Sequence, residues 1–527
     1  MMLPVIPAVA AALGLAVNTA SGLTISVPAS PPANAQSLSP TLLSFSVEQD
    51  RWPEWIGIDS RNEFTYNALQ NYAALTGQPP SIRVGGDSED RTVWSPAVEF
   101  NVDTFPPPTA LTPYPEATSI VVGDEFYTLA RFLPSGTRTV WGVNLGADNT
   151  TNAANIARAV IRAFRSPEVK ASGVVLARFE VGNEPDIYNF TGLRTGDWTP
   201  EMYIEQWTAS AAEVVKVAGI AGRDGPVTLQ GAAFGTQQFT PREVFDRGLL
   251  DSEPGKAISV ISQHRYSVIS SCNGTEFPLA SFMSKEAVRS NLTIFEADIA
   301  ASKARGLDYV LGETNSAACH GTPGVSNAAG AALWAIDYML QAATLGIQEA
   351  YFHEGIGYTY NFFQPTVLNR STADGSPLNP PQPPQVQPLY YAGLVVGSFI
   401  GSSGSTKVFE LEVNDPNVSG YAAYEGGRLV RIALVNLDAW LSGNAETQRP
   451  SVRLDLNLTK PTNSAGRFAR MKRLNIQHAD DLSGLTWAGQ SYETPDARPT
   501  GRIVEERVTI EAGVVLRASE AVLLNLE

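Results

Sequence analysis

The stretch Arg178-Phe179-Glu180-Val181-Gly182-Asn183-Glu184-Pro185-Asp186 reads as an apolar strand that stops at a paired Asn-Glu and is closed by a proline. A glutamate held at a strand end, with an amide beside it, is placed to give or take a proton. Tyr309-Val310-Leu311-Gly312-Glu313-Thr314-Asn315 offers a second glutamate of the same kind. Two such groups suit cleavage of a glycosidic bond: one carboxyl protonates the leaving oxygen while the other attacks the sugar carbon or activates water. Glu180 falls on the same face as Glu184 but two pleats deeper, too low to reach a sugar.

The elements that must position this pair alternate along the chain. Strands are predicted over 44–48, 81–86, 139–144, 174–181, 227–231, 260–266, 309–312 and 350–353. Helical patterns separate them, over 62–76 and 124–133 and most clearly where Ala153, Ile156, Ala157, Val160, Ile161 and Phe164 share one face. Eight strands apolar enough for burial on both faces predict an α/β fold, a (β/α)8 TIM barrel over 41–400. Beyond Gly401 short strands follow without helices, at 406–413, 429–436, 451–456, 503–510 and 514–524. That texture predicts a C-terminal antiparallel β-sandwich domain over 401–527. A strand at 23–27, in the segment 21–40, is expected to join it. The Pro/Gln-rich stretch 376–388 reads as a long loop after the eighth strand, because 389–400 suits the last barrel helix.

Composition narrows the class. The 527 residues carry 37 Lys+Arg against 53 Asp+Glu, a net charge of −16, which excludes nucleic acid held by a broad basic surface. A hydrophobic content of 43% excludes a disordered chain. Residues 1–20 form an apolar, small-residue run too short to span a bilayer, and are expected to be a secretory signal peptide. Seven Asn-x-Ser/Thr sequons, at Asn149, Asn189, Asn273, Asn291, Asn369, Asn417 and Asn457, agree with an extracellular, secreted glycoprotein. The two cysteines, Cys272 and Cys319, are expected to form a disulfide in such a compartment. No metal site is expected at Cys319-His320, since no further Cys or clustered His supplies ligands; no cofactor, nucleic acid or membrane partner is expected either.

In a barrel of this kind the chemistry sits at the carboxyl ends of the strands. The polar residues there are Glu48, Asp87, Asn144, Asn183, Glu184, His264, Tyr266, Glu313 and Glu354. His264 reads as a satisfied supporting histidine, and Glu354 as a substrate contact or half of an ion pair.

Four motifs in order, Phe45-Ser46-Val47-Glu48, Arg83-Val84-Gly85-Gly86-Asp87-Ser88, Val181-Gly182-Asn183-Glu184-Pro185 and Leu311-Gly312-Glu313-Thr314-Asn315-Ser316, resemble glycoside hydrolase family 79, the β-glucuronidase and heparanase group. The resemblance implies a retaining mechanism with Glu184 as acid/base and Glu313 as nucleophile. It further implies Asn183 on the sugar 2-hydroxyl, Tyr266 on the nucleophile, and Glu48 and Asp87 on the hydroxyls far from the scissile bond. The uronate carboxylate would go to backbone amides around Cys319, His320 and Gly321, with Tyr358 or Tyr360 from the eighth-strand loop. A Cys272–Cys319 disulfide would stiffen that loop. Heparan sulfate cleavage needs basic clefts, which this acidic chain lacks near these loops, so the expected substrate is a glycan ending in glucuronic acid, including its 4-O-methyl form. The alternatives are another retaining β-glycosidase of the same clan (a glucosidase, a xylosidase or an endo-acting heparanase-like enzyme) or a catalytically silent carbohydrate-binding protein.

Overall fold

A computed structural model describes residues 22–269, 277–444, 449–459 and 468–527. Eight parallel strands close into a barrel in chain order. They are β1 (Leu43–Glu48), β2 (Ile82–Gly85), β3 (Arg138–Val143), β4 (Val175–Val181), β5 (Thr228–Phe234), β6 (Ile258–Val268), β7 (Asp308–Ala317) and β8 (Ala350–Glu354). Every neighbouring pair is parallel, and β8 pairs with β1 to complete the circle. Each strand sits where the alternating pattern predicts. The exceptions lie in length: β5, β6 and β7 run past their expected ends. Glu313 therefore lies inside β7, not at its tip, and a register shift after Gln263 sets it opposite His264.

The helices cover the barrel for the reason their sequences give. Helix Thr150–Arg165 buries the predicted apolar face, with the Asn149 side chain capping Asn152 N–H. Helices Ala329–Leu345 and Leu389–Ile400 are apolar on nearly all sides because the second domain covers their outer faces. That domain is two sheets. One runs Gln36–Ser37, Lys407–Leu411, Val418–Glu425, Arg428–Asn436, Glu520–Leu526, Phe468–Asn475 and Thr486–Trp487, with Glu506–Thr509 also on Phe468–Asn475. The other joins Leu23–Pro28, Ser451–Thr459 and Val514–Arg517. The N-terminal strand pairs in parallel with Ser451–Thr459, so the sandwich is antiparallel except at this edge. The single strand read at 514–524 is two strands in different sheets, broken at Ser519, whose φ is +55°.

Two polar features matter for the site. First, the barrel interior is threaded by buried hydrogen bonds. Thr41 and Ser81 hydroxyls donate to Glu349, Arg178 bridges Glu349 and Gln230, Gln230 donates to Glu180, and Glu180 accepts from Arg83. Arg83 then reaches Glu313 at the mouth. Glu180 is thus deep in the barrel and pairs with Arg83, as its register requires. Second, the Pro/Gln-rich segment is a folded hairpin, with Phe363–Gln364 on Gln385–Val386 and Leu368–Arg370 on Pro377–Gln382. It docks against the β2–β3 connection, where Tyr114 OH donates to Arg370 O and accepts from Arg370 N–H.

No helix of the described residues is long and apolar enough to cross a membrane. The leader over 1–20, Cys272 and Asn273 lie outside the described residues. Of the other sequon asparagines, Asn149, Asn189, Asn369 and Asn457 are exposed. Asn291 is engaged internally, accepting from Arg265 and donating to Ala287 O.

Candidate active site

The β4 end is built to hold Glu184 in one place. Gly182 (φ +84°) and Glu184 (φ +48°) both adopt left-handed backbone, and for a glutamate that conformation is strained by about 1–3 kcal/mol. Neighbours hold it there. Glu184 N–H donates to Ala233 O at 2.9 Å, and Asp90 accepts Asn183 N–H at 3.1 Å and Tyr188 OH at 2.5 Å. The Glu184 side chain is 19% exposed, and its Oε1 lies 3.0 Å from His264 Nδ1. Gly235 leaves it room, since a Cβ there would stand 2.4 Å from the carboxyl.

Glu313 faces it from β7. Carboxyl oxygens of Glu184 and Glu313 and a ring nitrogen of His264 all lie within 4.8 Å of one another. Tyr266 OH donates to Glu313 Oε1 at 2.7 Å, and Arg83 Nη1 donates to Oε2 at 2.8 Å. Burial pushes the Glu313 carboxyl up, but His353, His264 and Arg83 together with the Tyr266 hydrogen bond outweigh it and hold the group at about 2. These neighbours favour Glu313 as a carboxylate well below the ordinary range.

Arg83, which the strand-end reasoning missed, is the centre of this wall. Its fork donates to Glu180 (2.5 Å), Ser46 (2.9 Å), Glu313 (2.8 Å) and Asn183 Oδ1 (2.8 Å), and it is fully buried. The signal was a charged residue on the inward face of an otherwise apolar strand. Arg83→Met leaves at least two buried carboxylates without their cation, so it is expected to destabilise the fold by about 3–5 kcal/mol in chemical denaturation. An unchanged midpoint would refute the hub.

Glu48, expected on a far hydroxyl, is buried beside this wall. It accepts from Ser88 N–H, Ser88 OH and His353 Nε2. Gly86 is needed here, because a Cβ would come within 2.5 Å of the Glu48 carboxyl. Asp87 accepts from Asn183 Nδ2 at 3.0 Å and is half exposed at the cleft. Asn183 thus has its oxygen on Arg83 and an N–H on Asp87. Tyr360 packs on Tyr266, and Tyr358 stacks on His320 at 3.8 Å between ring centres.

One neighbour went unforeseen. Glu116, from a coil stretch of the β2–β3 connection, takes His320 Nε2 at 3.1 Å, Tyr358 OH at 3.4 Å and Arg91 at 3.2 Å. Nothing in its surrounding sequence marks it. Cys319, His320 and Gly321 all have positive φ (+54°, +70°, +88°), so the loop that carries His320 is sharply wound. Asn144 and Glu354 stand apart from the cleft chemistry: Asn144 bonds Thr92 O and Ala147 N–H, and Glu354 is buried, accepting Phe362 N–H.

The charges set a pH window for stability. Glu313 and Glu116 are held near 2, below their ordinary 4.5, so their contribution is present above pH 4.5 and lost as pH falls toward 2. Burial pushes Asp186 up to about 6, and its contribution is lost as pH rises from about 4 to 6. His353 is raised to about 9 against its burial by Glu313 and Glu48, so its contribution is full below 6.5 and lost toward 9. The melting temperature is expected to peak near pH 4.5 to 6 in a pH-scanned thermal melt; a peak at or above pH 8 contradicts these assignments.

A closed parallel barrel with two facing carboxyl groups at its mouth defines a glycoside hydrolase. Residues 420–523 match the model of the glycosyl hydrolase family 79 C-terminal beta domain. A β-glucuronidase of Aspergillus niger is 27% identical over 466 residues, covering 85% of this chain and 82% of the relative. A β-glucuronidase of Neurospora crassa is 27% identical over 503 residues, covering 87% and 86%. Among solved structures, a 4-O-α-L-rhamnosyl-β-D-glucuronidase from Fusarium oxysporum superposes with a TM-score of 0.78 at 24% identity, covering 95% of this chain and 100% of that one. A family 51 α-L-arabinofuranosidase of Bifidobacterium longum shares the fold at a TM-score of 0.61. The match to the family 79 C-terminal domain and the two β-glucuronidase relatives support an assignment to glycoside hydrolase family 79.

Proposed function

We propose that this protein is a secreted, retaining exo-β-glucuronidase that releases terminal glucuronic acid, including the 4-O-methylated sugar, from glycans. The observation that carries the mechanism is the short reach between the Glu184 and Glu313 carboxyl groups, whose oxygens come within 4.8 Å. Retaining glycosidases hold their carboxyls about 5–5.5 Å apart, while inverting enzymes leave room for a water. Glu184 protonates the glycosidic oxygen as Glu313 attacks the anomeric carbon and a glycosyl ester forms. Glu184 then takes a proton from water, which attacks the same carbon and frees Glu313. Asn183, oriented by Arg83 and Asp87, meets the 2-hydroxyl. Glu48 accepts a far hydroxyl. The tightly wound 319–321 loop, whose Gly321 N–H donates to Ala318 O at 3.4 Å, is the kind of turn that captures an anion.

Exo action is supported by the 363–386 hairpin, a folded segment that docks through Arg370 on Tyr114 of the β2–β3 connection, two residues from Glu116. Secretion is supported by the apolar leader and the sequons, and a Cys272–Cys319 disulfide fits the same compartment. A second reading has one observation behind it. Glu116 already engages His320 and Tyr358, which suits a neutral glycone better than a uronate. Hydrolysis of p-nitrophenyl β-glucuronide against the β-glucoside and β-xyloside decides between them. Glucuronide preference of at least tenfold in kcat/KM is expected. Preference for a neutral sugar replaces the glucuronidase reading, and no turnover of any of the three favours a silent carbohydrate-binding protein.

A further inference from the structure

Beneath the paired carboxyls lies a buried histidine that the two-carboxyl scheme does not use. His353 is 2% exposed on β8, in register with Ser46 of β1. Its Nε2 lies 3.0 Å from Glu48 Oε1; its Nδ1 lies 3.0 Å from Ser46 Oγ and 3.6 Å from Glu313 Oε2. One imidazole therefore touches both the carboxyl set for a sugar hydroxyl and the carboxyl set to attack. The local charge inventory calls for such a cation. Four buried carboxyl groups, Glu48, Glu89, Glu180 and Glu313, crowd this floor, and Arg83 donates to Glu89, Glu180 and Glu313. Glu48 takes its ring N–H from His353 instead. The other groups facing the imidazole are Arg83, Glu116, Tyr358 and Tyr360, with Glu354 next to it on its own strand.

We propose that His353 is a positioning residue kept as an imidazolium, which couples the hydroxyl-binding carboxylate Glu48 to the attacking carboxylate Glu313. Glu48 holds the proton on His353, and the resulting cation keeps Glu313 ionised and fixed. The environment agrees, since Glu313 and Glu48 raise the imidazole to about 9 despite its burial. Occupancy of Glu48 by a sugar hydroxyl then bears on the nucleophile through a single ring, whatever glycone the enzyme prefers.

The test uses the 2-deoxy-2-fluoro glycosyl fluoride of whichever sugar the p-nitrophenyl panel identifies. Glu313 attacks its anomeric carbon and fluoride leaves without needing a proton from Glu184, so inactivation reports Glu313 and the groups that hold it, free of the acid/base step. Fluoride release is followed by electrode from pH 3 to 9 in the full-length enzyme. His353→Gln is expected to move the acid limb up by about one pH unit, so that at pH 3 the rate, scaled at neutral pH, falls to roughly half that of the wild type. Glu48→Gln, which keeps the histidine, is expected to move the alkaline limb down as His353 loses its proton more easily. The second variant serves where His353→Gln does not fold. Profiles of either variant that overlay the wild type after scaling overturn the proposal and leave His353 a packing residue, with the glycosidase assignment untouched.

Discussion

Glu313→Ala should remove roughly four to six orders of magnitude from kcat on an aryl glycoside, the scale on which loss of a covalent nucleophile acts in other hydrolases. The side chain has no substitute nearby. His264 and Glu184 lie within reach of the vacated space, yet Glu184 is committed to the leaving oxygen and its backbone is locked in the left-handed region. Added azide or formate fits the gap left by the carboxylate and is expected to restore turnover. The azide product should be the α-glycosyl azide, inverted relative to the substrate and read directly from the anomeric coupling in NMR. A β-product from this variant, or activity near that of the wild type, would place the nucleophile elsewhere.

Glu184→Ala is expected to behave differently, and the contrast is the stronger test. An alkyl glycoside, whose leaving oxygen needs a proton, should lose about 10²- to 10⁴-fold in kcat/KM. A p-nitrophenyl glycoside should form the glycosyl ester almost normally and then stall, giving a burst of nitrophenolate followed by slow turnover. Azide now attacks the ester from the face that water used, and the expected product is the β-glycosyl azide. Equal losses on alkyl and aryl substrates would argue that Glu184 supports the fold instead of moving a proton.

The sequence made the frame and the facing pair legible because both rest on local signals. Alternating apolar strands and helices specify a barrel whatever its exact lengths, and Asn183-Glu184-Pro185 ends a strand by chemistry that needs no tertiary knowledge. Glu313 was found by the same logic although β7 continues past it to Ala317, because the bulge opposite Gln263 and His264 still lifts it to the mouth. The contacts that tune the pair were less legible. Arg83 was visible within its motif, but its role depends on Glu180, Asn183 and Glu313 converging from two other strands. Glu116 gave no signal, since its place against His320 arises from a coil between two strands of the long β2–β3 connection. His353 was assigned to a strand and not to a task, because its two partners lie on different strands.

The chain of buried hydrogen bonds from Glu349 through Arg178, Gln230, Glu180 and Arg83 to Glu313 has an evolutionary consequence. Each member leans on its neighbours, so an apolar replacement at any one position leaves a charge or an amide beside it short of a partner. Single substitutions along this axis should each be harmful, whereas replacing several together with well-packed aliphatic residues need not be, so their effects will not add. The barrel interior therefore changes as a block or not at all. Such an arrangement confines sequence drift to the loops and leaves the cleft floor as the slowest-changing part of the molecule.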